Sequence, residues 1–216
     1  MSKLIILFGA PGSGKGTQAK KITEKLGFIH ISTGDILRRE VQNKSNLGKE
    51  IENIIISGKL VNDDLIQKLI VKNINFDKNY ILDGFPRNLK QAEFLDRFIF
   101  ENKEKELEIR KVLYLNLPEA EIIKRILGRR ICSNCKKEYN VLLHKIDNNN
   151  CLLCNSQLEI RKDDNEKAIK KRIDVYFKET SLLIDYYKQK NLLLDIDAND
   201  TIENISSYIF ANIGKI

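Results

Sequence analysis

The stretch Leu4–Phe8 is an unbroken apolar run that ends in Gly9-Ala10-Pro11-Gly12-Ser13-Gly14-Lys15-Gly16-Thr17. An apolar run bounded by a glycine-rich turn reads as a strand buried on both faces, as in a parallel sheet. The turn fits G-x-x-x-x-G-K, with Gly16 where Ser or Thr is usual and Thr17 next. Its glycines let backbone N–H groups converge on phosphate oxygens, and the positive end of the following helix adds to the field. Lys15 supplies a mobile charge for the outer phosphates. Strand, loop and helix in this order point to an α/β domain whose ligand sits at the carboxyl edge of the sheet.

The rest of the chain alternates accordingly. Lys15–Leu26 reads as a helix capped by Gly27, and Phe28–Ile31 as a strand. Ser32 and Thr33 are N-cap residues for a helix over about Asp35–Val41. Leu47–Ser57 is helical as far as Gly58. Leu65, Ile66, Leu69 and Ile70 mark an amphipathic helix over Asp63–Asn73. Tyr80–Leu82 is a strand broken by Gly84 and Pro86, and Leu89–Phe100 a helix. Lys111–Leu117 is a strand, and Pro118 sits in the first turn of the helix Glu119–Leu127. One continuous helix is expected from about Asn165 to Lys190, then a strand over Leu192–Ile196 and a helix over Thr201–Ile213. Pro11, Pro86 and Pro118 all follow predicted strands, at the edge where an open α/β sheet binds ligands.

Between Gly128 and about Asp164 the alternation stops. The segment holds all four cysteines, turn residues such as Asp147–Asn150, and little helical periodicity, so it reads as an inserted unit. Cys132-x-x-Cys135 and Cys151-x-x-Cys154 are 15 residues apart, within the range of four-thiolate zinc sites. Four thiolates leave no coordination position open, so a structural Zn²⁺ ordering a flap with little apolar core is expected. Iron and a pair of disulfides are the alternatives. The two histidines, His30 and His144, are read as structural or exposed. Neither is placed beside the phosphate loop, so histidine general-base catalysis is not expected.

The chain of 216 residues is 42% hydrophobic, enough for one domain with a real core. Its net charge of +7 suits any polyanion and does not choose among nucleic acid, acidic membrane and nucleotide phosphates. The run Leu4–Phe8 is far shorter than the roughly 20 apolar residues that span a bilayer. It also breaks into the glycine loop too early for a signal core, so no leader or membrane segment is expected and the chain is read as cytosolic.

A phosphate loop of this kind works with a metal-associated carboxylate and with positive charge aimed at the migrating group. Asp83 closes the strand Tyr80–Leu82, where such a carboxylate belongs. Candidate arginines are Arg38, Arg39, Arg87, Arg125, Arg129, Arg130, Arg161 and Arg172. Arg129 and Arg130 open the insertion and Arg161 lies near its close. From both hinges they would reach phosphate when the flap closes and shuts out water.

At this point the chain resembles the adenylate kinase family, in its long form with a zinc-bearing lid. The resemblance runs nearly end to end. It rests on Gly9–Gln18, Ser32-Thr33-Gly34-Asp35, Gly58-Lys59-Leu60-Val61 and Asp83-Gly84-Phe85-Pro86-Arg87. Gln91, Gly128-Arg129-Arg130, the cysteine pairs and Arg161-Lys162-Asp163-Asp164-Asn165 complete it. In that family Gly16 is the usual residue.

The resemblance implies a P-loop NTPase-type parallel sheet flanked by helices. Residues 1–31, 62–127 and 165–216 would form the core, 32–61 a small AMP-binding segment and 128–164 the zinc-bearing lid. It implies Mg²⁺-dependent reversible transfer, ATP + AMP to two ADP, without a covalent intermediate. Gly12, Ser13, Gly14, Lys15, Gly16 and Thr17 would hold the ATP phosphates. Arg129, Glu138 and Tyr139 would meet ATP from the lid, and Asp200 would meet its base through the backbone. Thr33, Arg38, Lys59, Leu60, Val61, Gly84, Phe85, Pro86, Arg87 and Gln91 would hold AMP, with Gln91 reading adenine. Arg161 and Arg172 would clamp the transferring phosphoryl group and AMP. Cys132, Cys135, Cys151 and Cys154 would hold Zn²⁺. The partners are then ATP, AMP and ADP, with no nucleic acid or membrane, for a chain expected to be a monomer. The chain departs from the pattern of the family it resembles at Glu138, where a small polar residue is common in zinc-bearing members. A carboxylate there weakens the local ATP contact.

Two rivals remain at this stage. Another nucleoside monophosphate kinase would act on GMP, UMP or CMP. A zinc-ribbon nucleic-acid-binding protein would fit the basic charge, but it needs exposed aromatics or a dense basic stripe near the cysteines.

Overall fold

The computed structural model describes residues 2–44, 46–146, 148–161 and 163–214. Asp147 and Lys162, named above among the turn and lid motifs, lie outside the described residues. In chain order the elements begin with β1 (Ser2–Gly9), α1 (Lys15–Leu26), β2 (Ile29–Ser32), α2 (Thr33–Gln42), α3 (Asn46–Ile56) and α4 (Asp63–Asn73). Then come β3 (Tyr80–Asp83), α5 (Leu89–Glu101), β4 (Leu107–Asn116) and α6 (Glu119–Leu127). The inserted unit carries β5 (Arg129–Cys132), β6 (Glu138–Asn140) and β7 (Leu158–Glu159). The chain closes with α7 (Glu166–Val175), α8 (Leu182–Gln189), β8 (Leu193–Asp197) and α9 (Ile202–Ile213).

The apolar run lies at the centre. β1 pairs in parallel with β3 on one side and β4 on the other. Leu4, Ile5, Ile6 and Leu7 are 0% exposed, so every face of the strand is covered. Each such side chain contributes about 1.5–3 kcal/mol relative to exposure. The sheet order is β2-β3-β1-β4-β8, all parallel. The chain leaves β1 toward β2 and leaves β4 toward β8, so its connections diverge between β1 and β4. A crevice opens at such a switch point, and the phosphate loop sits there.

Caps explain several boundaries. Gly27 ends α1 with φ 72°, and Ser32 Oγ accepts the Asp35 N–H at the start of α2. Asn62 Oδ1 accepts the N–H groups of Asp64 and Leu65 at the start of α4. Pro118, expected inside the first turn, is the residue just before α6.

Two expectations are corrected. The single helix over Asn165–Lys190 is divided into α7 and α8 by a π-turn over Tyr176–Thr180, where the widened turn delivers Thr180 Oγ1 to the Arg87 carbonyl at 2.8 Å. The insertion, for which the sequence offered turn residues and little helical periodicity, holds an antiparallel sheet in the order β6-β5-β7. Among the described residues no helix is long and apolar enough to cross a membrane.

Candidate functional site

The loop after β1 can only be made of glycines at its tight points. A Cβ on Gly9 would stand 2.4 Å from the Leu115 carbonyl oxygen of β4, and Gly12 and Gly14 adopt φ 82° and 90°. The Lys15 ammonium turns back over this loop and donates to the carbonyl oxygens of Gly9 and Ala10, each at 2.9 Å. Burial pushes Lys15 down from 10.5 to about 8. Asp83 opposes the shift, and Arg87, Arg172 and Arg129 reinforce it. A lysine that senses three arginines at once shares one electropositive space with them.

That space is a cleft of about 940 Å³ at the carboxyl edge of the sheet. Of the expected residues, Gly12–Thr17, Arg38, Leu60, Asp83, Gly84, Pro86, Arg87, Arg129, Glu138, Tyr139, Arg161, Arg172 and Asp200 line it. Thr33, Lys59, Val61, Phe85 and Gln91 are not among the lining residues. Thr33 is buried, and its hydroxyl donates to the Gly84 carbonyl at 2.9 Å. Phe85 and Val61 belong to the apolar core, and Lys59 is exposed. Gln91 lies behind Arg87, accepting its backbone N–H at 2.8 Å. Of the hinge arginines, Arg130 folds onto its own main chain, with Nη1 donating to the carbonyls of Leu127 and Arg129.

The arginines are not free. Arg129 pairs with Asp164, with Nε donating at 2.7 Å, and Arg172 Nη1 reaches Asp163 and Asp164 at 3.3 and 3.2 Å. Arg161 grips Asp163 through Nε and Nη2, both at 3.1 Å, and gives Nη1 to Glu138 at 2.9 Å. Burial would raise the Asp163 carboxyl, but Arg161 and Arg172 hold it at about 2. Burial lowers Arg172 to about 10, with Arg129 adding to the effect. Burial also lowers Arg87. Asp163 and Asp164 stood in a quoted motif but were given no role: Arg161 and Arg172 are 2 to 9 residues away in the chain, while Arg129, the other partner of Asp164, is 35 residues away.

His30 is a correction. The parallel register sets Ser32 against Asp83, and the His30 side chain, on the same face of β2, reaches the same carboxylate. His30 Nε2 lies 3.2 Å from Asp83 Oδ2, on the wall of the cleft. The Asp83 carboxylate also faces the loop, since a Cβ on Gly16 would stand 3.9 Å from its Oδ2.

In the inserted unit all four cysteine sulfurs lie within 4.8 Å of one another. Cys132 to Cys154 is 3.4 Å and Cys135 to Cys151 is 3.6 Å. Those lengths exclude S–S bonds of about 2.05 Å and approach the edge of about 3.8 Å of a tetrahedron with 2.3 Å metal–sulfur bonds. The donor set therefore fits a four-coordinate metal. Tyr139 turns its ring into this cluster, with its hydroxyl 3.2 Å from Cys151 Sγ. Burial and that contact push Tyr139 up to about 12.

Comparison with known proteins agrees with this geometry. The family model for adenylate kinase matches residues 7–192. An adenylate kinase of Petrotoga mobilis is 40% identical over 207 residues, covering 95% of each chain. One of Clostridium tetani is 42% identical over 215 residues, covering 96% of this chain and 98% of that protein. One of Methanocella arvoryzae is 41% identical over 215 residues, covering 98% of each. With matches that run nearly end to end, through the phosphate loop and both hinges of the flap, this chain belongs to the adenylate kinase family.

Proposed function

We propose that the cleft seats two nucleotides phosphate to phosphate, ATP over Gly12–Thr17 and AMP between the 32–61 segment and Arg87. The reaction is that of the family, reversible phosphoryl transfer between ATP + AMP and two ADP. An oxygen of the AMP phosphate attacks the terminal phosphorus of ATP, and ADP leaves in line. No side chain needs to become covalently attached. The observation that carries this reading is the convergence of Lys15, Arg87, Arg129, Arg161 and Arg172 on one cleft beside the loop. Such charge, fixed in a site that excludes water, stabilises the transition state by electrostatics and positioning.

In this reading Arg161 and Arg172 take the migrating group and the AMP phosphate, and Arg129, Glu138 and Tyr139 approach ATP from the lid. Asp200 borders the ATP base. Arg38, Leu60 and Gly84–Arg87 hold AMP, with Thr33, Lys59 and Val61 supporting the same segment and Gln91 directed at adenine. Asp83 would hold the Mg²⁺ that enters with ATP, because its carboxylate faces Gly16 with ordinary van der Waals room between. Mg²⁺ supplies charge neutralisation across the phosphates. The four cysteines would hold Zn²⁺ in a closed tetrahedral site that orders the lid, 128–164. We place the enzyme in the cytoplasm as a monomer.

Initial rates with ATP–Mg²⁺ and each of AMP, GMP, UMP and CMP test the assignment. AMP is expected to exceed the others in kcat/KM by at least tenfold. Similar or better rates with UMP or CMP would replace AMP as the acceptor.

A further inference from the structure

We propose that Glu138 is a built-in competitor for phosphate, a carboxylate that occupies the open edge of Arg161 until a nucleotide displaces it. The inference rests on the reading of Arg161 as a phosphate contact.

Side chains alternate along β6. Tyr139 faces the sulfur cluster, so Glu138 and Asn140 project to the opposite side. There Asn140 fastens the lid to α6, its Nδ2 donating to the Arg125 carbonyl at 2.9 Å. Glu138 meets Arg161 Nη1 at 2.9 Å.

A guanidinium offers two bidentate edges, one through Nε and one Nη, the other through both Nη atoms. Asp163 already fills the first edge of Arg161 with two bonds at 3.1 Å. Orientation of the side chain is thereby set without Glu138. What Glu138 takes is Nη1, one of the two nitrogens of the second edge, through which a phosphate is gripped bidentately. A phosphate arriving there and Glu138 are both anions and compete for the same N–H groups.

Among the three carboxylates around these arginines, Glu138 is the one suited to leave. Its side chain is 38% exposed and receives one bond from Arg161. Asp163 is 11% exposed and is shared by Arg161 and Arg172, while Asp164 is 1% exposed and is shared by Arg129 and Arg172. Removing either aspartate strands buried positive charge, whereas Glu138 returns to water at small cost.

The test uses the full chain and equilibrium binding of a bisubstrate probe, two adenosines joined through five phosphates. Glu138→Gln keeps the Oε1 acceptor and the side-chain shape but not the charge. Its affinity for the probe should rise about two- to fivefold over wild type at low salt, the range of a partly exposed ion pair. The gain should shrink toward unity as salt screens the competing carboxylate. A purely structural role for Glu138 would not produce that salt dependence. Arg161→Lys should weaken the probe at least tenfold, and adding Glu138→Gln to it should give a smaller gain than in wild type. If Arg161→Lys weakens binding but Glu138→Gln leaves it equal or weaker, the competitor role is wrong while the phosphate role of Arg161 stands. If Arg161→Lys binds like wild type, Arg161 does not contact phosphate and the inference falls with that reading.

Discussion

Gln91 donates its amide Nε2 to Asp63 Oδ1 at 2.7 Å, and its Oε1 accepts the Arg87 backbone N–H at 2.8 Å. A backbone N–H can only donate and an ionised carboxylate only accepts, so chemistry sets which way the amide points. Asn88 Nδ2 donates to the same carboxylate at 3.2 and 3.3 Å. Asp63 sits in the first turn of α4, where the helix dipole favours its charge.

Asp63→Ala would leave the Gln91 amide, 2% exposed, without one partner. We expect a loss of about 1–3 kcal/mol in stability, or roughly 2–12 °C in Tm for a chain of this size. Adenine pairs a ring acceptor with an amino donor, and hypoxanthine presents the reverse. With Asp63 gone only the Arg87 N–H still orients the amide, so the ratio of kcat/KM for AMP over IMP should fall in Asp63→Ala and largely recover in Asp63→Asn. Thermal unfolding and paired rate assays check both. Wild-type stability and base preference in Asp63→Ala would refute the lock.

Lys15 gives a prediction in pH. Burial lowers its pKa from 10.5 to about 8, so the charged form is disfavoured in the folded protein. Between the folded and unfolded values the unfolded chain binds the extra proton, so this group's penalty is present below about pH 8 and is relieved as pH rises above it. ATP phosphates favour the ammonium and reverse the shift. Binding of ATP near pH 8.5 should therefore take up protons, and ATP affinity should fall as pH rises through 8 to 9. Calorimetry in buffers of different ionisation enthalpy measures the uptake. Lys15→Ala should show none of it and should lose about 10²–10³-fold in turnover, the scale of one charge-stabilising donor. Buffer-independent binding heats in wild type would contradict this.

The sulfur cluster yields a third. The lid core is small, with Cys132, Tyr139, Cys151 and Leu158 buried and Ile146 and Cys154 packed against them. Leu152 and Leu153 stand 60% and 67% exposed beside it. So little buried apolar surface contributes little to ordering the unit, and a metal held by the four thiolates would supply the rest. Strong chelation should lower Tm by more than 5 °C, and Cys151→Ser should do the same without chelator. Adding Zn²⁺ back should restore the wild type only. A chelated protein of unchanged Tm but no activity would make the site catalytic.

The sequence was most readable where one local pattern dominates. The bounds of α1, α4 and α6 coincide with their apolar periodicity and caps, and the buried β1 run announced the sheet. The lid strands were hidden because a core built on thiols leaves no period-two apolar pattern, and Leu142, Leu143, Leu152 and Leu153 face out. The π-turn at Tyr176–Thr180 was hidden because Thr180 answers to Arg87, 93 residues away. For the site, loop, arginines and cysteines were legible as motifs. Their pairing was not: His30 with Asp83, Glu138 with Arg161 and Gln91 with Asp63 depend on strand register and on the return of the chain after the lid.

Gly58 supplies the last prediction. It follows α3 with φ +73°, and a Cβ there would stand 2.6 Å from the Ala168 carbonyl oxygen and 3.1 Å from Ala168 Cα. Ala168 lies in α7, the helix that carries Arg172 into the cleft. The Asn165 side chain adds a bond to the Ile56 carbonyl at 3.4 Å, so the two elements touch where the segment Lys59–Val61 begins. Gly58→Ala combines left-handed strain with a clash against backbone that has no rotamer to change. Gly27 separates the two effects, since it has φ +72° with nothing among the described residues within 4 Å of its Cβ position. Gly27→Ala should cost about 1–2 kcal/mol from strain alone. Gly58→Ala should cost at least about 2 kcal/mol more, because α7 must shift to admit the methyl. That shift moves Arg172 and the 32–61 segment together, so kcat/KM for AMP should drop more than tenfold in Gly58→Ala and stay near wild type in Gly27→Ala. Denaturant unfolding of both variants, with AMP kinetics, decides the matter. Equal losses of stability would mean that the close approach to Ala168 contributes nothing.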